Sequence, residues 1–195
     1  MMDIKRRILL VDEIQTVNQM IKESLEDMGH EVVAQITPDQ DLVSSLQQVE
    51  PDMLVINVKV PDSDFLQNIA QVNQIQPVPV VLFSEDDNQD LVESVIRCGV
   101  SAYVVDGLEA NRIEPIINVA MARFEQMQGL RKELADTKQV LAERKLVERA
   151  KGILMSRRDM NEEDAYKTLR DLAMKRNQRI AEVANDVIEA DELFG

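Results

Sequence analysis

Five short apolar runs recur along the first half of the chain, each bounded by polar residues or by Gly and Pro. Runs of this length are typical of strands that are buried on both faces of a parallel sheet. The pattern predicts strands at residues 8–11, 31–36, 53–56, 78–83 and 102–105.

Between these runs the apolar residues recur at every third or fourth position, which is the period of an amphipathic helix. This spacing predicts helices at residues 16–28, 38–49, 64–75 and 87–98, and a fifth helix that begins near Glu109. Strands and helices that alternate with short connections predict an α/β fold with a five-stranded parallel, doubly wound sheet. We place this domain at residues 5–122.

From Ile113 the apolar residues are spaced alternately by four and three, apart from one pair of threes at Met127. This spacing predicts one unbroken helix that continues into a coiled coil, with a stammer in its heptads. A long narrow apolar stripe needs a partner helix, so we expect a parallel homodimer. The alternative is a helix folded back on its own α/β domain. The predicted seam of the linker, residues 123–147, consists of Phe124, Met127, Leu130, Leu134 and Leu141.

Three amphipathic segments follow the seam. Their apolar stripes begin near Leu146, Ala165 and Ile180, and Asn161 has the position of an N-cap for the second segment. We predict that they form a small three-helix bundle at residues 148–195.

Polar residues stand at the ends of the predicted strands, where ligands bind in open parallel sheets. Asp12 and Glu13 end the first strand, Asn57 the third, Ser84 the fourth and Asp106 the fifth. These five side chains are therefore expected near one edge of the sheet.

The segments ILLVDE, PDMLVINVKVPDSD, VPVVLFS and GVSAYVVDG resemble the landmarks of response-regulator receiver domains, which are flavodoxin-like. In that family an acid pair binds Mg²⁺, an Asp accepts phosphate, a hydroxyl and a Lys contact the phosphoryl group, and an aromatic residue changes rotamer. The resemblance assigns the acid pair to Asp12 and Glu13, the hydroxyl to Ser84 and the aromatic residue to Tyr103.

Two positions depart from that set. Asn57 stands at the phosphoacceptor, where a carboxamide is a poor nucleophile and makes no acyl phosphate. Asp106 stands where the family has the Lys, so a cation becomes an anion. We predict a pseudo-receiver that needs no cofactor and is switched by contact with a sensor protein. The alternatives are phosphorylation at Asp62 or Asp64 and a weak Mg²⁺ site at Asp12 and Glu13.

Charge separates the C-terminal region from the rest of the chain. The formal net charge is -14, yet residues 144–179 carry eleven Lys/Arg against six acids. A basic segment in an acidic protein suggests a polyanionic partner, because Lys/Arg contacts to phosphates release counterions. The alternative is a solvated helical surface of mixed charge.

The stretch ERKLVERAKGILMSRRDMNEEDAYKTLRDLAMKRNQRIAEVANDVI resembles the ANTAR module, the RNA-binding output domain of transcription antitermination regulators, over about residues 127–188. The order receiver, coiled coil and ANTAR is similar to nitrate-assimilation regulators of the NasT type. The resemblance implies binding to paired hairpins in a nascent leader RNA, whose formation excludes a terminator. We expect RNA contacts from six basic residues: Lys151, Arg157, Arg158, Lys175, Arg176 and Arg179.

Other function classes remain as alternatives. A DNA-binding output with a helix-turn-helix is less consistent with the long coiled coil, and a protein-interaction adaptor would use the basic segment on an acidic partner. An enzyme is not expected, because no nucleophile–base set or phosphate loop is present. Cys98 is the only cysteine of the sequence, which excludes an internal disulfide and a Cys-based zinc site, and His30 is the only histidine. Without a signal peptide or a membrane-spanning run, we expect a cytoplasmic protein.

Overall fold

The computed structural model describes residues 5–13, 15–105 and 109–194. The chain divides into two compact units, Met1–Gln128 and Gly129–Gly195. Within the described ranges, no helix is long and apolar enough to cross a membrane.

The first unit is a five-stranded parallel sheet with the order β2-β1-β3-β4-β5, which confirms the predicted α/β fold. Its elements are β1 (Arg7–Asp12), α1 (Gln15–Asp27), β2 (Glu31–Ile36), α2 (Leu42–Val49), β3 (Met53–Asn57), α3 (Ser63–Ile75), β4 (Val80–Ser84), α4 (Gln89–Arg97), β5 (Ala102–Val105) and the start of α5 (Ala110–Arg158).

The central strands contain continuous apolar runs because both faces of the sheet are covered. Leu9, Leu54 and Leu82 point to one face, where they pack with residues of α2, α3 and α4. Their neighbours Ile8 and Val55 point to the other face and pack against α1 and the first turns of α5. Successive residues of one strand therefore belong to two different cores.

Two of the predicted boundaries that differ from the structure have clear local reasons. α2 begins at Leu42 and not at residue 38, because the carboxylate of Asp41 caps the helix by accepting a hydrogen bond from the backbone N–H of Ser44 at 3.1 Å. β4 begins at Val80 and not at residue 78. Pro79 immediately precedes it and has no N–H for a sheet ladder.

α5 is one continuous helix of 49 residues, as the absence of a break in its pattern predicted. The apolar stripe of α5 has a buried part and an exposed part. Ile113, Ile117 and Ala120 are buried in the core of the first unit, so the exposed part of the stripe begins farther along the helix.

The second unit is a helical bundle made of the last turns of α5, α6 (Glu162–Arg176) and α7 (Ile180–Phe194). The first of the three predicted segments is the end of α5 and not a separate short helix. Asn161 caps α6 as predicted, because its side chain accepts a hydrogen bond from the backbone N–H of Asp164 at 2.8 Å. The bundle core consists of Val147, Ala150, Leu154, Ala165, Leu169, Ala173, Val183, Ala184 and Ile188.

Candidate functional site

The ends of β1 and β3 bring Asp12 and Asn57 side by side. The two residues pair in the sheet register, and both side chains are buried. The Asn57 amide Nδ2 donates a hydrogen bond to Asp12 Oδ1 at 3.0 Å. A carboxamide at this position thus serves as a hydrogen-bond donor to the neighbouring acid, and it offers no carboxylate oxygen to a phosphoryl donor.

Glu13 and Ser84 are both hydrogen-bonded to the backbone of Lys59, just after β3. The Lys59 N–H donates to Glu13 Oε2 at 3.0 Å, and the Ser84 hydroxyl donates to the Lys59 carbonyl oxygen at 2.7 Å. The Ser84 oxygen also accepts the N–H of Asp86 at 3.2 Å. The side chains of Glu13 and Ser84, which a metal or a phosphoryl group would need, are therefore hydrogen-bonded within the protein itself.

Tyr103 completes this edge of the sheet. Its hydroxyl donates to the Asp86 carbonyl oxygen at 2.6 Å, and burial raises the pKa of the phenol. Tyr103 is therefore neutral at physiological pH, and its hydroxyl is hydrogen-bonded to the backbone. The predicted site residue Asp106 lies outside the described residues.

The described residues of the receiver site do not fit the magnesium ion that the fold family implies. Asn57 removes one negative charge from the ligand set and directs its N–H₂ group toward Asp12. Among the described residues, no group of three His, Cys, Asp or Glu side chains is arranged to hold a metal.

Lys151 is buried in the second unit, with only 7% of its surface exposed. Its ammonium donates to Glu162 Oε1 at 2.7 Å and to Glu148 at 2.9 Å, so it joins α5 to α6. The hydrogen bond to Glu162 and then that to Glu148 raise the pKa of Lys151, while the Lys151 ammonium lowers the pKa of Glu162. This environment argues against the prediction that Lys151 contacts RNA, because its hydrogen bonds are made inside the fold.

Three of the predicted arginines bridge to acids on other segments of the bundle. Arg157 Nε lies 2.9 Å from Asp191, and Arg176 Nη1 lies 2.9 Å from Asp186. Arg179 Nη1 lies 3.5 Å from Glu143. These pairs are solvent-exposed, and exposed pairs contribute only about 0 to 1 kcal/mol. An arginine that exchanged its carboxylate partner for a phosphate would therefore lose little free energy.

Arg158 and Lys175 differ from those three arginines. Both side chains are exposed, and neither forms an ion pair or a side-chain hydrogen bond with another described residue. Arg158 also lines an open pocket of about 340 Å³ between the end of α5 and α7, together with Ile153 and Val187. These are the two predicted cations whose charges are not shared with a neighbouring acid.

The predicted seam is exposed along α5. Met127, Leu130, Leu134 and Leu141 present about half of their surface to solvent, and Phe124 is half-buried. In a single chain this apolar stripe has no cover in the described part of the second unit.

Sequence prediction missed the outer face of α6. No role was predicted for Tyr166, which is exposed beside Lys167 and Arg170. A spacing of four residues from Tyr166 to Arg170 and again to Met174 was the signal that could have found this face.

Two family models match the chain. The response regulator receiver domain matches residues 8–118, and the ANTAR domain matches residues 135–188. The second match covers the end of α5, all of α6 and most of α7.

Among curated proteins, the transcriptional regulatory protein PdtaR of Mycobacterium tuberculosis is 31% identical over 186 residues, which are 95% of this chain and 91% of that protein. The nitrate regulatory protein of Klebsiella oxytoca is 38% identical over 80 residues, which are 41% of this chain and 19% of that protein. The chemotaxis protein CheY of Listeria monocytogenes is 28% identical over 108 residues, 55% of this chain and 91% of that protein.

Solved structures show the fold of the first unit. A CheY-like receiver domain protein from Methanospirillum hungatei aligns with a TM-score of 0.55 at 18% identity, covering 64% of this chain and 99% of that one. The receiver domain of a diguanylate cyclase from Desulfovibrio desulfuricans aligns with a TM-score of 0.55 at 13% identity, covering 64% and 99%.

Proposed function

The chain belongs to the response regulators that carry an ANTAR output domain, and from this premise we propose that it is an RNA-binding regulator of transcription antitermination. Its ligand would be a pair of hairpins in a nascent leader RNA. Protein bound to these hairpins stabilises them, and the RNA is then unable to form the competing terminator. Such an activity needs binding and no chemical step, in keeping with a regulatory protein that is not an enzyme.

The observation that carries this proposal is the pair of exposed, unshared cations within the segment matched by ANTAR. Arg158 stands at the end of α5 and Lys175 in the last turn of α6. An Arg offers a planar set of donors and a Lys a point charge, and both suit the phosphates and base edges of a hairpin loop. Arg157, Arg176 and Arg179 would add contacts by exchanging their carboxylate partners for phosphates.

Control would come from protein contact and not from phosphate. With Asn57 hydrogen-bonded to Asp12, the receiver site has no nucleophile at its third strand. A sensor protein that binds the receiver unit and sequesters the regulator would supply the signal instead. Because nascent RNA is the ligand, the site of action would be the cytoplasm.

A dimer formed through α5 would carry two bundles, one for each of the two hairpins. The exposed stripe of Met127, Leu130, Leu134 and Leu141 is suited to a second copy of the same helix, since a heptad stripe packs best against its own repeat. Two linked bundles on two linked hairpins increase the overall affinity by effective concentration, without new contacts.

The regulated genes would be those of nitrate or nitrite assimilation. The support for this finer proposal is the local similarity to the nitrate regulatory protein, together with the receiver, coiled-coil and ANTAR order. The alternatives are a phosphorylation-responsive DNA-binding regulator and a protein-interaction adaptor.

The direct test measures binding of the full chain to a two-hairpin leader RNA as a function of salt concentration, without a phosphodonor. We expect tight binding at physiological salt. The double variant Arg158→Ala/Lys175→Ala should bind more weakly. The plot of the logarithm of the association constant against the logarithm of the salt concentration should become less steep, by roughly 0.7 to 0.9 for each lost phosphate contact.

Lys132→Ala/Lys138→Ala is the matched control, because it removes two exposed charges from α5 outside the bundle core. It should bind RNA with the same salt slope as the wild-type protein. Preference for a duplex DNA of equal length would contradict the proposal in favour of a DNA-binding regulator. Failure to bind either nucleic acid would favour the adaptor.

A further inference from the structure

One helix of the bundle carries a second apolar ridge that its core does not use. Ala165, Leu169 and Ala173 on α6 are buried against α5 and α7. Tyr166 and Met174, on the outer side of the same helix, are 45% and 73% exposed. Arg170 stands between them at a spacing of four residues, so the three side chains form one stripe along the helix.

The two cations beside this ridge, Lys167 and Arg170, make no short ion pair with another described residue. Lys167 forms none with another described residue, and Arg170 lies 3.9 Å from its sequence neighbour Asp171, at the limit of an ion pair. By contrast, Arg176 on the same helix is paired with Asp186 at 2.9 Å. Glu163, one turn before Lys167, and Asp171, next to Arg170, are acids beside the ridge. An aromatic ring flanked by two available cations is thus presented to solvent.

We propose that this ridge, Tyr166–Arg170–Met174, is a stacking site for an unpaired base of RNA, with Lys167 and Arg170 held near the adjoining phosphates. The inference rests on the proposed function and locates the part of that surface that reads single-stranded loops. A paired stem hides the faces of its bases, whereas a hairpin loop exposes them to an aromatic side chain. The charge of the flanking cations selects a polyanion as the occupant of the ridge.

Substitution of Tyr166 separates stacking from simple apolar contact. Tyr166→Leu removes the ring but keeps an apolar side chain, and it should weaken binding to the two-hairpin RNA by about five- to a hundredfold, the effect of one stacked base. Tyr166→Phe keeps the ring and should bind like the wild-type protein. Leu193→Ala removes another exposed apolar side chain of the same unit and should have no effect. All three variants should melt at the wild-type temperature.

Fluorescence gives a readout that a structural role would not change. The chain has two Tyr and no Trp, so its emission is that of tyrosine. Saturation with the hairpin RNA should quench part of the wild-type emission and none of that of Tyr166→Leu. A fully paired RNA of equal length should give equal affinities for both proteins and no quenching.

Three results would overturn the inference. If Tyr166→Leu binds the hairpins like wild type while Arg158→Ala/Lys175→Ala binds weakly, the proposed function stands and the stacking site is wrong. If the wild-type protein binds no RNA, the proposed function fails and the stacking site with it. If Tyr166→Leu changes the mass measured by light scattering, the ridge is covered by a second copy of the chain.

Discussion

The carboxyl edge of the receiver sheet and the outer surface of the helical bundle both collect polar side chains, but the partners of those side chains differ. At the receiver edge Asn57, Glu13 and Ser84 are hydrogen-bonded to Asp12 and to the backbone of Lys59. On the bundle, Arg158 and Lys175 extend into solvent without such partners among the described residues.

This difference bears on where a ligand can gain free energy. A ligand at the receiver edge would have to replace hydrogen bonds that the protein already makes, and the net gain from such an exchange is small. A phosphate at Arg158 or Lys175 would replace water only. Residue types that match a family's site are thus weaker evidence for binding than the presence of donors that the fold leaves unused.

The largest effect is expected where α5 presents its seam. In the proposed dimer, Leu134→Glu/Leu141→Glu places four like charges in the seam and should convert the dimer to a monomer. Affinity for the two-hairpin RNA should fall by about a hundredfold, because the second bundle no longer acts at high effective concentration. Light scattering gives the mass, and the RNA titration gives the affinity.

Ala135→Glu is the control for that pair. It adds a charge to the same exposed segment of α5, one position beyond Leu134 and off the seam. A dimer that survives the double substitution would show that this stripe is not the interface and that another surface pairs the chains.

The next effect concerns the receiver edge. Asn57→Asp replaces the amide donor with a second carboxylate beside Asp12 and should lower the free energy of unfolding by roughly 3 kcal/mol at pH 7. Like charges raise the pKa of one carboxyl, so the loss should grow as the pH rises through that raised pKa and vanish in acid. Mg²⁺ should stabilise Asn57→Asp but not the wild-type protein, because the substitution supplies the carboxylate that the wild-type site lacks. Urea unfolding with and without Mg²⁺ measures both effects.

Asn57→Ala separates the lost hydrogen bond from the added charge. It should lower the free energy of unfolding by less than Asn57→Asp does, and Mg²⁺ should not change its stability. Equal stability of the wild-type protein and Asn57→Asp, with or without Mg²⁺, would mean that the edge is more open than its hydrogen bonds indicate.

The fold was predictable from the sequence because burial dictates its pattern. Both faces of the sheet are covered, so runs such as Leu54–Ile56 had to be continuous, and the strands followed from them. Helix starts were less predictable. Asp41 could have been read as a helix residue or as a cap, and only the hydrogen bond to Ser44 decides between these assignments.

The candidate site was predictable only in part. The substitution at Asn57 is visible in the sequence, and so is the excess of basic residues in the C-terminal region. The partner of each cation is not visible, because Lys151 and Glu162 lie eleven residues apart and meet only when α5 packs against α6. A count of charges therefore could not separate Lys151, which is hydrogen-bonded within the bundle, from Arg158, which is exposed.

The smallest effect tests that separation directly. Lys151→Met should lower the melting temperature at pH 7 without changing the salt slope of RNA binding. The contribution of Lys151 is complete below its ordinary pKa of 10.5 and is lost as the pH rises through its raised value. That of Glu162 is complete above its ordinary pKa of 4.5 and is lost as the pH falls through its lowered value. The difference in melting temperature between the two proteins should therefore be greatest between these limits. A reduced salt slope for Lys151→Met would instead support the prediction that Lys151 contacts RNA.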